Sequence, residues 1–154
     1  MSYKYDLLEP ATDRNKAIDD LTAAIGTLYA ESWNRDKEAE YKRPFALNIA
    51  AFTNLWFGGA LKLFMAYDDD KPIGFLVGMV FRPLPYEASV FQVEDWYSAG
   101  ISEVEQGLFD CAVNAIRFIG CSEIWVADKI DRNPKAMNGW KETNTFQYHR
   151  FTKE

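Results

Sequence analysis

From Ile73 to Phe81 the chain reads Ile-Gly-Phe-Leu-Val-Gly-Met-Val-Phe, apolar at every position but the two glycines. A strand with one wet face alternates apolar and polar side chains, so a run without alternation needs cover on both faces. Directly before it lies Asp68-Asp69-Asp70-Lys71-Pro72, and before that a second apolar run, Leu63 to Tyr67. Two such runs around a polar turn predict a hairpin at the centre of a sheet. Any fold for this chain must place structure on both sides of that hairpin.

The flanking segments supply candidates. Tyr3 to Leu8 reads as a first strand. Thr12 or Asp13 is suited to cap a helix whose apolar face runs Ile18, Leu21, Ile25, Leu28. Pro44 suits the first turn of a second helix, with Leu47, Ala51, Phe52, Leu55 and Trp56 on one side and Gly58-Gly59 at its end. After Pro83 and Pro85, Ser89 to Tyr97 predicts a third strand of the meander. Ser102 to Ile119 predicts an amphipathic helix with a stripe of Val104, Leu108, Cys111, Ala112, Ala115 and Ile119. Gly120 stops it, Glu123 to Ala127 makes another strand, and Thr145 to Phe151 a last one. A helix joining two strands after a meander implies an α/β (α+β) fold: a mixed, mostly antiparallel central sheet with helices on both faces.

Composition narrows the function classes. A length of 154 residues fits one domain, 1–154, and 48% apolar with 16% aromatic residues supports a packed core. The net charge of −6 speaks against nucleic acid as a partner. No apolar run reaches the roughly 18 residues that span a bilayer, and the N-terminus MSYKYDLLEP lacks a signal core, so a cytoplasmic protein without membrane partners is expected. Charge is uneven: residues 1–128 carry 11 basic and 20 acidic groups, net −9, whereas residues 129–154 carry six and three, net +3.

The order of elements, with several short motifs, resembles the GCN5-related N-acetyltransferase (GNAT) superfamily. Lys71-Pro72-Ile73-Gly74-Phe75 is similar to its entry into the central hairpin strand, and Phe91-Gln92-Val93-Glu94-Asp95-Trp96-Tyr97 to its fourth strand. Leu108-Phe109 followed by Gly120-Cys121 resembles its central helix and the turn after it. Gly139-Trp140-Lys141 and Tyr148-His149-Arg150-Phe151 resemble its ending. Short members with an aromatic, acidic fourth strand are similar to ones encoded by bacteriophages. The resemblance implies an acetyl-coenzyme A site where bare amides at the start of the central helix grip a pyrophosphate, in a pattern Arg/Gln-x-x-Gly-x-Gly/Ala.

Counted back without gaps from Gly120, that pattern falls on Gly100, Ile101, Ser102, Glu103, Val104 and Glu105. Two glutamates replace the two small residues, and a carboxylate about 4 Å from a phosphate charge costs roughly 1 kcal/mol even in water. Ser102-x-x-Glu105 also reads as a capping box that fills the helix start from within. The tyrosine that such enzymes carry four residues before the Gly-aromatic pair is Lys135 here.

The residues therefore point first to a GNAT-like chain that has lost acyl-coenzyme A binding. It would use no cofactor and act as a non-catalytic protein-binding or structural module, in a virion or as an inhibitor of a host factor. A protein partner, a homo-oligomer or a larger assembly is then expected. The alternative is a divergent acetyl-coenzyme A-dependent N-acetyltransferase acting on an amine. In that case Glu94 or Asp95 is the base and Tyr148 or His149 the late proton donor, with Tyr97, Ser98, Gly100 and Ser102 at the cofactor. No metal site is expected: His149 is the sole histidine, and Asp68-Asp69-Asp70 reads as a solvated turn. Cys111 and Cys121 read as small buried hydrophobes. Of the aromatics Trp33, Phe45, Phe52, Trp56, Phe57 and Trp96, most are expected in the core.

Overall fold

The computed structural model describes residues 2–36, 48–82 and 87–126, the side chains of residues 33–36 excepted. In chain order the elements are β1 (Lys4–Leu7), α1 (Arg14–Asp36), α2 (Ile49–Phe57), β2 (Leu61–Asp68), β3 (Lys71–Phe81), β4 (Ser89–Tyr97), α3 (Ser102–Ile119) and β5 (Cys121–Trp125). The strands form one sheet in the order β1-β2-β3-β4-β5. Its first three pairings are antiparallel, and β4 runs parallel to β5. The expected mixed sheet is thus present, with β3 at its centre. The final strand over Thr145–Phe151 and the Pro44 start of the second helix lie outside the described residues, as do Pro83, Pro85 and Ala127.

Both faces of the hairpin are covered, as its unbroken apolar run requires. On one face Phe64, Leu76, Phe91 and Trp96 pack beneath Val104, Leu108, Ala112 and Ile116 of α3. On the other, Leu63, Met65, Phe75 and Val77 pack beneath Leu21, Ile25 and Leu28 of α1 and Trp56 of α2. Fully burying one such side chain contributes on the order of 1.5–3 kcal/mol.

Asp13 caps α1 by accepting the Lys16 amide at 3.3 Å. The second helix departs from its expected face: Thr53 and Trp56 are its buried residues, while Leu55 is 39% exposed and Ala51 lies open. The cause is Trp56, whose indole Nε1 donates to the Leu8 carbonyl at 3.0 Å and rotates the helix around that anchor. Among the named aromatics, Trp56 and Trp96 fill the core, Phe52 is half-buried and Phe57 is 38% exposed. Phe45 and the Trp33 side chain fall outside what is described.

Close approach explains the two glycines inside β3. A Cβ on Gly78 would stand 2.4 Å from the Phe91 ring and 2.6 Å from the Gln92 carbonyl oxygen. Neither neighbour has room to retreat, since Phe91 is fully buried and Gln92 is fixed in the ladder. Gly78→Ala is therefore expected to destabilise the protein by about 1–3 kcal/mol, read from urea unfolding. An unchanged midpoint would mean that β3 and β4 do not approach this closely.

Candidate active site

The candidate site lies on the second half of β4, beyond the last β4–β5 pair among the described residues. Among the described residues the parallel ladder joins Ser89 to Cys121, Val90 to Glu123, Phe91 to Ile124 and Gln92 to Trp125. Pairing of β4 with β3 continues to Tyr97. In that ladder Val77 faces Asp95 but the adjacent Gly78 faces Val93, so Glu94 is an extra residue, a β-bulge. A bulge re-aims the side chains beyond it.

Past that point Trp96 is 1% exposed on the α3 side, stacked on Phe109 with ring centroids 5.7 Å apart. Tyr97 turns to the α1 side, where its hydroxyl donates to Glu31 Oε2 at 3.2 Å. Asp95 is 5% exposed, and its Oδ1 accepts the Trp96 amide at 2.8 Å. Glu94 has an open side to solvent, yet partial burial of its carboxyl, and after that the Asp95 charge, raises its pKa above the usual glutamate value. Of the two carboxylates expected as bases, one is exposed with raised proton affinity and the other is interior and engaged with backbone.

The loop after β4 turns sharply into α3. Ala99 and Gly100 both adopt left-handed backbone, at φ of 52° and 76°, and the Ile101 amide donates to the Ser98 carbonyl at 2.9 Å. The helix N-cap is Ile101, and among the described residues no side-chain cap bond is made there. The expected capping box is therefore not formed. Ser102 lies one residue too late, inside the first turn, and the Glu105 amide is taken by the Ile101 carbonyl at 3.0 Å. An α-helix start leaves its first amides without intrahelical partners, pointing outward along the axis. Among the described residues, no side-chain cap bond is made at the start of α3.

Glu103 and Glu105 do stand in its first turn, Glu103 exposed and Glu105 half-buried. Two residues apart on a helix, their side chains leave on different sides of the axis, so they do not converge on one point. The Glu103 carbonyl accepts the Tyr5 hydroxyl at 3.1 Å, which ties the helix start to β1. The sequence reading did not single out Tyr5. Its signal was Gly107, where a Cβ would stand 2.1 Å from the Tyr5 ring.

Neither cysteine is set up as a nucleophile. Cys111 is half-buried and Cys121 buried, and burial raises both thiol pKa values, away from a reactive thiolate. Among the described residues no three His, Cys, Asp or Glu side chains converge as metal ligands, and no helix is long and apolar enough to cross a membrane. Ser98 is buried, whereas Gly100 and Ser102 are exposed. Tyr148, His149 and Lys135 lie outside the described residues.

No family model matches the sequence, and no curated protein matches it. Solved structures do match. A ribosomal-protein-alanine N-acetyltransferase from Brucella melitensis biovar Abortus 2308 superposes with a TM-score of 0.63 at 14% identity, over 96% of this chain and 100% of that one. The fold is that of the GNAT acetyltransferases. An aminoglycoside acetyltransferase from an uncultured soil metagenomic sample, in complex with sisomicin, gives 0.62 at 18% identity over 97% of each chain. A predicted acetyltransferase from Clostridium acetobutylicum, solved with acetyl-CoA, gives 0.57 at 12% identity over 93% and 96%.

Because Ser102 caps nothing, Ser102→Ala is expected to change stability by no more than about 0.5 kcal/mol in urea unfolding, against about 1 kcal/mol for loss of a true cap.

Proposed function

We propose that this GNAT-fold chain is a divergent acyl-coenzyme A-dependent N-acyltransferase acting on an amine. The reading rests on the start of α3, which among the described residues has no side-chain cap and is entered through the left-handed pair Ala99-Gly100 beyond the last β4–β5 pair. A helix start without a side-chain cap among the described residues, with the positive end of its dipole, suits a phosphate group. Gly100 and the main chain of 101–104 are the groups that fit the cofactor pyrophosphate, with Ser102 beside them. When bound, acetyl-coenzyme A supplies an acyl group on a thioester.

Glu94 is the base in this proposal. An acceptor amine attacks only as the free amine, so its ammonium proton must leave first. A carboxylate of raised pKa, exposed at the bulge, takes that proton more readily than an ordinary glutamate. The new C–N bond forms as the C–S bond breaks, and the departing thiolate needs a proton, for which Tyr148 is the candidate on this chain.

Glu103 and Glu105 favour a second reading, a non-catalytic binding or virion module that has retired the site. Calorimetry with acetyl-coenzyme A separates the two. The native protein is expected to bind at about micromolar Kd, and a Glu103→Gly/Glu105→Gly variant at least about fivefold tighter as the repulsion is removed. Binding by the variant alone would mean a retired site, and binding by neither would overturn the proposal.

In acyl transfer across an amine panel, Glu94→Gln is expected to lower kcat about 10²–10⁴-fold. The base works ionised, so the native rate falls as pH drops through the raised Glu94 pKa, above the point where an ordinary glutamate protonates. A Glu94→Gln variant with native turnover would remove this residue from the mechanism.

A further inference from the structure

Glu103 and Glu105 stand two residues apart in the first turn of α3. A helix turns by about 100° per residue, so residues four apart share a stripe and residues two apart lie on nearly opposite ones. Contacts farther along the helix show where each stripe points.

The Glu103 stripe continues at Gly107 and faces β1. A Cβ on Gly107 would stand 2.1 Å from the Tyr5 ring, so that ring lies on bare helix backbone. The Tyr5 hydroxyl donates to the Glu103 carbonyl oxygen at 3.1 Å. Burial first, and then the neighbouring Glu103, Tyr3 and Asp110, raise the Tyr5 pKa, which puts the Glu103 carboxylate on the same side. Tyr5 pairs with Ala66 in the β1–β2 ladder, so all of this belongs to the β1 end of the sheet.

The Glu105 stripe continues at Phe109 and faces β4. Phe109 stacks on Trp96, with ring centroids 5.7 Å apart and planes 17° apart. Exposure differs accordingly: Glu103 is exposed and Glu105 half-buried. Water and salt screen an exposed charge more than a half-buried one. The candidate site is on the β4 side as well. A cofactor with its phosphates at the start of α3 and its acyl group at Glu94 has to pass along that side.

We propose that Glu105 alone sets how tightly this site holds an anionic cofactor, while Glu103 is turned out of it towards β1. An anion arriving there meets one carboxylate, not two, against the positive end of the helix dipole. The tuning of affinity rests on the acyl-coenzyme A reading above; the placement of the two stripes does not.

Single substitutions in the full chain separate the two glutamates, and glutamine keeps the size of each side chain. In calorimetry with acetyl-coenzyme A at low salt, Glu105→Gln is expected to bind at least about fivefold tighter than the native protein, and Glu103→Gln within about twofold of it. Alkaline titration of the Tyr5 ring, followed by its Cζ shift in NMR, locates Glu103 without any cofactor. Its midpoint is expected to fall to lower pH in Glu103→Gln and to stay near native in Glu105→Gln.

Equal gains in affinity from the two variants, or a larger gain from Glu103→Gln, overturn the proposal and leave the acyltransferase reading standing. A Tyr5 midpoint moved as far by Glu105→Gln as by Glu103→Gln overturns it too. Binding by Glu105→Gln alone supports it, since one carboxylate then suffices to close the site. Binding by none of the three proteins sinks the acyltransferase reading and the tuning with it, and the Tyr5 titration then judges the placement by itself.

Discussion

One extra residue in β4 governs the candidate site of this protein. A strand alternates its side chains strictly, so the single insertion at Glu94 moves every later residue to the opposite face. Trp96 is thereby placed under α3, where it stacks on Phe109, and Tyr97 under α1, where it reaches Glu31. Without that shift the Trp96 indole would belong on the α1 side, and the buried Asp95 carboxylate would face the apolar stripe of α3. The bulge also leaves the two acidic neighbours in unlike surroundings, one shielded and bonded to backbone, the other partly in water. Unlike environments are what give adjacent carboxylates different proton affinities and different uses.

The second constraint is the start of α3. Its acidic first turn looks hostile to an anion when read as a string of letters, because each glutamate brings a negative charge. In three dimensions the amides point along the helix axis while the two side chains leave on different sides of it. The balance between an attractive dipole and two off-axis charges is fine, of the order of 1 kcal/mol on either side.

Support for both features comes from the two-faced core. Gly74 and Gly78 let β3 lie close enough to β4 for the bulge to be held at short range. Tyr5, from the edge strand β1, lies across Gly107 and bonds the Glu103 carbonyl, so the helix start is fixed from the far side of the sheet. Phe118 at the other end of α3 is 88% exposed, and it belongs to neither device.

Much of the fold was legible in the linear chain, because hydrophobic period and breakers are local properties. The unbroken run from Ile73 to Phe81 demanded cover on both faces, Asp13 marked the start of α1, and Gly120 the end of α3. The acidic, aromatic end of β4 stood out as a candidate site for the same reason. What the letters could not carry was register. Ser102-x-x-Glu105 has the form of a capping box, but the turn through Ala99 and Gly100 places Ile101, not Ser102, at the cap. Asp95 and Glu94 looked equivalent in sequence, and Leu55 looked as buried as Trp56. A bulge, a positive-φ turn and one indole anchored on a distant carbonyl decided otherwise. These depend on which strands and helices meet, and such contacts between residues far apart in the chain leave no periodic trace in it.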